Sequence, residues 1–345
     1  MPELPPVIAG AFTPEIQERG ENFFHSVAAI FEAWVNRRKS NHTRRGYRGD
    51  VMAFVEFCGL IWPRDAADLL RISILDVQRF KDHMGKHGGA PKTISRRISS
   101  LSSFYKFLSG AAAELRLPIT VPNPAHAQFV AREASDPVEE TRALSETRAR
   151  QLMAMVTGES IIELRDRAIL RLYAYTGARI ETGCQLNVAD FYYQDGDEAT
   201  VRFHLKGGRT KTKGLHYAAA TAIAEYIRVA GLESGPLFQP ARSPHSDELA
   251  ERRLSQRAMY DILMGYLSRL PGAMREEVLP SGEKVQVCIY SPHSLRATTA
   301  TLLLDAGERI ESVQDLLDHK HITTTQIYDK RRRSVRDSAS HKVPI

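Results

Sequence analysis

The chain has 345 residues, 43% of them hydrophobic, and carries 47 Lys and Arg against 41 Asp and Glu, for a formal charge of +6 and a pI near 9.2. This length holds two ordinary domains with cores of their own, and the lack of a long apolar run excludes a helical membrane span. Cys58, Cys184 and Cys288 are widely separated and form no Cys-x-x-Cys pair, which argues against a disulfide framework and a structural zinc site.

Residues 1–21 are rich in Pro and Gly and lack the basic and apolar regions of a signal peptide, so they read as a flexible tail on a cytoplasmic protein. Helical spacing begins at Phe23 and continues through Phe24, Val27, Ala28, Phe31 and Trp34. A basic turn follows, with Arg37, Arg38, Lys39, Thr43, Arg44 and Arg45; it suits either solvent or phosphate contact. Helices are then expected over 43–60, with Tyr47, Val51, Phe54, Val55 and Cys58 on one face, and over 74–84, with Val77, Phe80 and Met84. A fourth, over 93–108, turns Ile94, Ile98, Leu101, Phe104, Tyr105 and Leu108 inward. Its other face shows Lys92, Arg96, Arg97, Ser99, Ser100, Ser103 and Lys106 and, with Thr93, has the composition of a helix resting on DNA. Between Glu21 and Pro124 there are 16 Lys and Arg against 9 Asp and Glu, so the positive excess lies in this module.

Residues 131–143 turn polar and acidic and read as a linker between a domain at 22–130 and one at 144–345, long enough to let the two close round a duplex. The second domain opens with a capped helix through Met153, Met155 and Val156, followed by one over 161–175 that Thr176-Gly177 breaks. Thr200 to Leu205 alternates as a strand, with Leu215-His216-Tyr217 as its expected partner across a turn rich in Lys and Gly. That turn is not a P-loop, because its Gly and Lys-Thr stand in the wrong order and no helix follows. Helices are expected over 219–229 and 255–270, with a polar loop between them at about 240–252.

The last sixty residues carry the strongest signal. Ser291 and Pro292 open a helix as N-cap and first helical residue, His293 and Arg296 share one face, and Gly307 is placed to end it. A short helix with Ile310, Val313, Leu316 and Leu317 on its apolar side delivers His319, and Thr323-Thr324-Thr325-Gln326-Ile327 leads to Tyr328. Singly, each of these is an ordinary core residue with a satisfied polar tip; together they form a pattern.

His293-x-x-Arg296, Ala306-Gly307, Leu316-Leu317-Asp318-His319 and Thr324-Thr325-Gln326-Ile327-Tyr328 resemble the C-terminal signature of the tyrosine recombinases, the phage integrase family. Leu172-Tyr173-x-x-Thr176-Gly177-x-Arg179-Ile180, with Leu186 and Asp190, resembles the family's first signature box. The usual acid three residues after the arginine is replaced by Thr182, with Glu181 one place early. Lys206-Gly207-Gly208-Arg209-Thr210-Lys211 is similar to the family's Lys-Gly-x-Lys-x-Arg hairpin with two positions exchanged in type. The helical module, with Thr-Ile-x-Arg-Arg-Ile-Ser-x-Leu in its last helix and Asn123-Pro124 at its exit, resembles the family's core-binding domain.

The resemblance implies a mainly α protein, with a helical, SAM-like core-binding domain and a mostly helical catalytic domain bearing a small β-hairpin or sheet. It implies Tyr328 as nucleophile, Arg179 and Arg296 as the phosphate clamp and His319 as a further donor to the phosphate. Lys206 becomes the acid for the leaving 5′-oxygen, with Lys211 and Lys213 as alternatives, and His293 the group that takes the tyrosine proton. It implies no cofactor and no metal. Its partners would be duplex DNA, three further copies in a synaptic tetramer and, in some systems, accessory DNA-bending or directionality proteins. The short stretch before the first helix suggests no additional arm-site domain, and the polar end from Asp329 to Arg333 suggests DNA contact over an apolar docking helix. Two other readings remain open: a type IB topoisomerase using the same chemistry on one duplex, and a DNA-binding regulator without catalysis.

Overall fold

The structure, a computed structural model, describes residues 13–117, 120–132, 141–194, 198–205, 208–244, 246–278 and 282–329. Lys206, most of the expected linker and everything from Lys330 onward lie outside the described residues. The chain divides into two compact units at Ser135 and Asp136.

In the first unit the described helices are α1 (Pro14–Asn36), α2 (Asn41–Phe57), α3 (Ile74–Lys86) and α4 (Pro91–Glu114). Each starts on a local signal. Thr13 and Ser40 cap α1 and α2, Ser73 and Asp76 form a capping box on α3, and Pro14 and Pro91 stand in the first turns of α1 and α4. Phe23, Val27, Phe31 and Trp34 of α1 meet Phe54, Phe80, Leu101 and Phe104 in one core. Each such side chain contributes about 1.5–3 kcal/mol of burial. The tail expected over 1–21 is corrected here, since α1 already runs through residues 14–21. Those first turns are largely exposed and held by a cap and a Glu15–Arg19 ion pair, so the apolar period starts only where the helix reaches the core at Phe23.

The second unit is built from α5 (Glu146–Ala154), α6 (Ile161–Thr176), α7 (Ile180–Cys184), a sheet, α8 (Tyr217–Val229) and α9 (Gln256–Leu267). A two-stranded ribbon and the helices α10 (Pro292–Asp305), α11 (Ile310–Leu317) and α12 (Thr323–Gln326) complete it. The sheet has three antiparallel strands, β1 (Phe191–Gln194), β2 (Glu198–His204) and β3 (Thr210–Gly214), in that order. The expected partner for β2 at 215–217 is therefore corrected. Val201 and Phe203 pair with Lys213 and Lys211, while His216 instead caps α8. The ribbon, β4 (Met274–Val278) and β5 (Lys284–Cys288), was not foreseen.

α10 is the central helix of this unit. Leu295, Ala297, Ala300 and Leu304 are buried along with Ser294, Arg296, Thr298 and Thr299, so it is enclosed on nearly all sides. Two of its buried threonines are partnered: Thr299 Oγ1 donates to the Ala174 carbonyl at 2.8 Å, and the Leu144 amide donates to Thr298 Oγ1 at 2.8 Å.

Gly177 ends α6 in the left-handed region, at φ 57°. A Cβ there would lie 2.5 Å from Leu317 Cδ2 and 3.4 Å from Thr299 Cβ, so glycine is required by conformation and by space. Gly177→Ala should destabilise the protein by at least about 1–2 kcal/mol, the backbone contribution alone. A denaturant midpoint unchanged from wild type would contradict this.

Candidate active site

The break after α6 places Arg179 at the N-cap of α7, directly beyond Gly177. Its side chain is exposed, and among the described residues it has no ion-pair partner. Arg296, one turn into α10, differs in being only 2% exposed. One of its terminal nitrogens donates to the Gly177 carbonyl at 2.6 Å and the other to the Leu317 carbonyl, so one guanidinium ties the α6–α7 break to the end of α11. Burial, followed by the neighbouring charge of Arg179, lowers the Arg296 pKa to about 10, with Tyr328 and Asp318 opposing; the group stays charged at neutral pH.

His319 follows α11 through Asp318, whose φ of 54° turns the chain sharply. Its Nδ1 lies 2.9 Å from Thr325 Oγ1, and its ring stacks on Tyr328 with centroids 6.1 Å apart at 14°. Burial and then Arg296, Arg179 and His293 push its pKa down to about 4, so the ring is neutral at physiological pH and offers a single N–H.

Tyr328 is 7% exposed, with its hydroxyl 3.5 Å from Nε2 of His293, which stands exposed in the first turn of α10. Burial raises the Tyr328 pKa against the opposing pull of Arg296 and Arg179. The resting side chain is thus a phenol and needs a base. All the expected catalytic side chains except Lys206, which is not among the described residues, gather around this tyrosine.

Lys211 and Lys213, the alternatives to Lys206, are engaged elsewhere. Lys211 Nζ donates to the Asp315 carbonyl at 2.7 Å and to its carboxylate at 2.6 Å; Lys213 Nζ donates to the Leu316 carbonyl and the Asp318 carboxylate. Thr325 and Asp318 were missed as partners of this site by sequence reading. Thr325 lay within the matched Thr-Thr run, but nothing local linked its hydroxyl to His319.

In the first unit the ten expected DNA-contact residues lie near the junction of α1 and α2 and on α4. Arg37, Lys39, Arg45, Lys92 and Arg96 are exposed. Several are braced: the Arg37 guanidinium lies 5.3 Å from the Phe107 ring centroid and that of Arg38 4.5 Å from Tyr47, while Arg44 Nε donates to the Arg38 carbonyl at 2.6 Å. The Thr43 amide takes the Ser40 cap, and half-buried Thr93 lies in the first turn of α4. Arg96 reaches the buried carboxylate of Asp50 at 2.5 Å, and Arg97 approaches the same group at 4.0 Å. Among the described residues no group of three His, Cys, Asp or Glu is placed to hold a metal ion, and no helix is long and apolar enough to cross a membrane.

A basic helical domain followed by a domain that gathers two arginines, two histidines and a tyrosine is the architecture of a tyrosine site-specific recombinase. The chain belongs to the phage integrase family, which it matches over residues 142–334, and residues 32–111 match the phage integrase N-terminal SAM-like domain. It is 30% identical over 302 residues to tyrosine recombinase XerC of Rhodospirillum centenum (strain ATCC 51521 / SW), covering 85% of this chain and 78% of that one. It is 28% identical over 301 residues to tyrosine recombinase XerC of Roseiflexus sp. (strain RS-1), with 85% and 84% covered. In fold it resembles the XerH site-specific recombinase bound to difH substrate in a pre-cleavage complex, with a TM-score of 0.65, 15% identity and 93% and 94% of the chains covered. It also resembles a lambda integrase dimer bound to a COC′ core site, with a TM-score of 0.63, 17% identity and 94% and 85% covered.

Proposed function

We propose that this recombinase cleaves and rejoins duplex DNA through a 3′-phosphotyrosine on Tyr328, without ATP, as a tetramer holding two short sites. The observation that carries the reading is the buried Tyr328 hydroxyl facing His293 Nε2 and lying within the field of Arg179 and Arg296. The Tyr328 oxygen attacks phosphorus, its proton passes to His293, and the P–O5′ bond breaks as Lys206 protonates the departing oxygen. Arg179 and Arg296 neutralise the non-bridging oxygens while phosphorus is five-coordinate, and neutral His319 donates one hydrogen bond to them. The phosphodiester energy stays in the tyrosyl bond until another 5′-hydroxyl attacks, so the reverse step uses the same groups with the protons returned.

The tetramer is supported by fold likeness to a lambda integrase tetramer bound to a Holliday junction, at a TM-score of 0.61. A type IB topoisomerase reading shares the chemistry, but the SAM-like domain at residues 32–111 favours recombination. To test the reading, protein covalently bound to DNA is trapped in cells and the attached DNA is sequenced. Adducts clustered at one short inverted repeat are expected; scattered adducts would indicate topoisomerase-like action, and none, with specific binding retained, a regulator.

The first unit supplies the phosphate contacts in this reading. Replacing exposed Arg45 with Ala should lower the slope of log K against log salt by about 1, one phosphate contact. Arg96→Ala should lower it by less, because Asp50 already offsets that charge. Equal slopes for both variants and wild type would remove this surface from the DNA contact.

A further inference from the structure

The C-terminus of α11 is held by an unusual set of cations. Each of its last three carbonyls accepts from a different cationic side chain, Asp315 from Lys211, Leu316 from Lys213 and Leu317 from Arg296, and Asp315 accepts from the Asp318 amide as well, at 3.1 Å. The two lysines lie on β3, opposite Phe203 and Val201 of β2, so one helix end receives both the hairpin and the central arginine of the site. Asp318 completes the set. Its carboxylate takes Lys213 through one oxygen and lies 3.2 Å from Lys211 through the other, while its backbone stands at φ 54°, a conformation that side-chain-bearing residues rarely adopt. Lys213 is 8% exposed and packs 5.2 Å over the Phe203 ring. Beside this cluster an open cleft of about 780 Å³ is lined by Leu205 and Arg209 from the two ends of the hairpin turn and by His319 from beyond α11.

We propose that Lys213, together with Lys211 and Asp318, is a positioning residue that locks strands β2 and β3 in register with the turn bearing His319, and so supports proton delivery to the leaving 5′-oxygen by the acid that lies between those strands in sequence. The inference rests on the reading above of Lys206 as the acid. Lys213 and Asp318 transfer no proton; the proton moves from the Lys206 ammonium to O5′ as the P–O5′ bond breaks. Asp318 thus holds a backbone conformation in which glycine would be relaxed, for the sake of the ion pairs its carboxylate makes.

The test uses Asp318→Gly, Lys213→Met, Lys213→Arg and Lys206→Ala of the full chain, assayed on a nicked site with an ordinary phosphodiester and on one whose leaving atom is a 5′-bridging sulfur. A thiolate leaves without protonation, so the sulfur substrate bypasses the acid. Asp318→Gly and Lys213→Met should lose about 100-fold in cleavage of the oxygen substrate, the scale of a misplacement near 1 Å. Both should recover on sulfur as Lys206→Ala does, which a general loss of fold would not allow. Lys213→Arg should keep most of its activity on oxygen, which excludes Lys213 as the acid, because arginine cannot give up its proton in this range. Equal losses on both substrates for Asp318→Gly and Lys213→Met, or no loss on oxygen, would overturn the proposal and leave Lys206 as acid if Lys206→Ala recovers. Failure of Lys206→Ala to recover on sulfur would overturn the Lys206 reading and this inference with it.

Discussion

Tyr328→Phe should abolish covalent attachment to DNA while leaving site binding and thermal stability close to wild type. The substitution removes one oxygen, whose recorded neighbour in the fold is His293 Nε2 at 3.5 Å, a contact too long to contribute much stability. The ring and its stacking on His319 are kept, so the core around α12 is undisturbed. What is lost is the nucleophile, and removing a nucleophile from a site that acts as a unit lowers turnover by on the order of a million-fold. A nicked substrate that releases a short fragment bearing the free 5′-hydroxyl after cleavage traps the adduct, and gel electrophoresis under denaturing conditions reads it. Undiminished adduct from the phenylalanine variant would place the nucleophile elsewhere.

The second large effect separates the two arginines. Loss of either should reduce cleavage by about 100- to 1000-fold, the size seen when one preorganised donor to a developing oxyanion is removed. Their structural costs should differ. Arg179 is exposed and lacks an ion-pair partner among the described residues, so Arg179→Ala should leave the melting temperature nearly unchanged. Arg296 is buried and satisfies the Gly177 and Leu317 carbonyls, and Arg296→Ala strands both at about 1–3 kcal/mol each. Lysine at 296 reproduces the charge but not the fork that spans two carbonyls, so Arg296→Lys should recover little. Calorimetry beside a cleavage assay checks this, and equal melting losses for Arg179→Ala and Arg296→Ala would contradict the assigned burial and partners.

Much of the fold was legible because its helices announce themselves locally. The Pro292 start of α10, the Phe23 to Trp34 period and the Gly177 and Gly307 stops lie within a few residues of the elements they define. What escaped reading depends on tertiary contacts. β3 is Thr-Lys-Thr-Lys-Gly, with no apolar alternation, and Lys213 is buried only because Asp318 and the Leu316 carbonyl, more than a hundred residues away, receive its charge. β4 is exposed at every position, so it has no hydrophobic face to read. The first turns of α1 touch little of the core and looked like a tail. At the site, His293, Arg296, His319 and Tyr328 were visible as a spaced pattern. The bracing of His319 by Thr325 and the division of Arg179 and Arg296 into exposed and buried partners required the folded chain.

The central claim is that Tyr328 carries the DNA. The most direct measurement is to trap the adduct on a nicked site, digest the protein, and locate the nucleotide by tandem mass spectrometry, with phosphodiesterase treatment to establish which end of the strand is attached. The account predicts a single modified peptide containing Tyr328, joined to the 3′ end of the cleaved strand. Attachment at another residue, or through a 5′-phosphate, would contradict it.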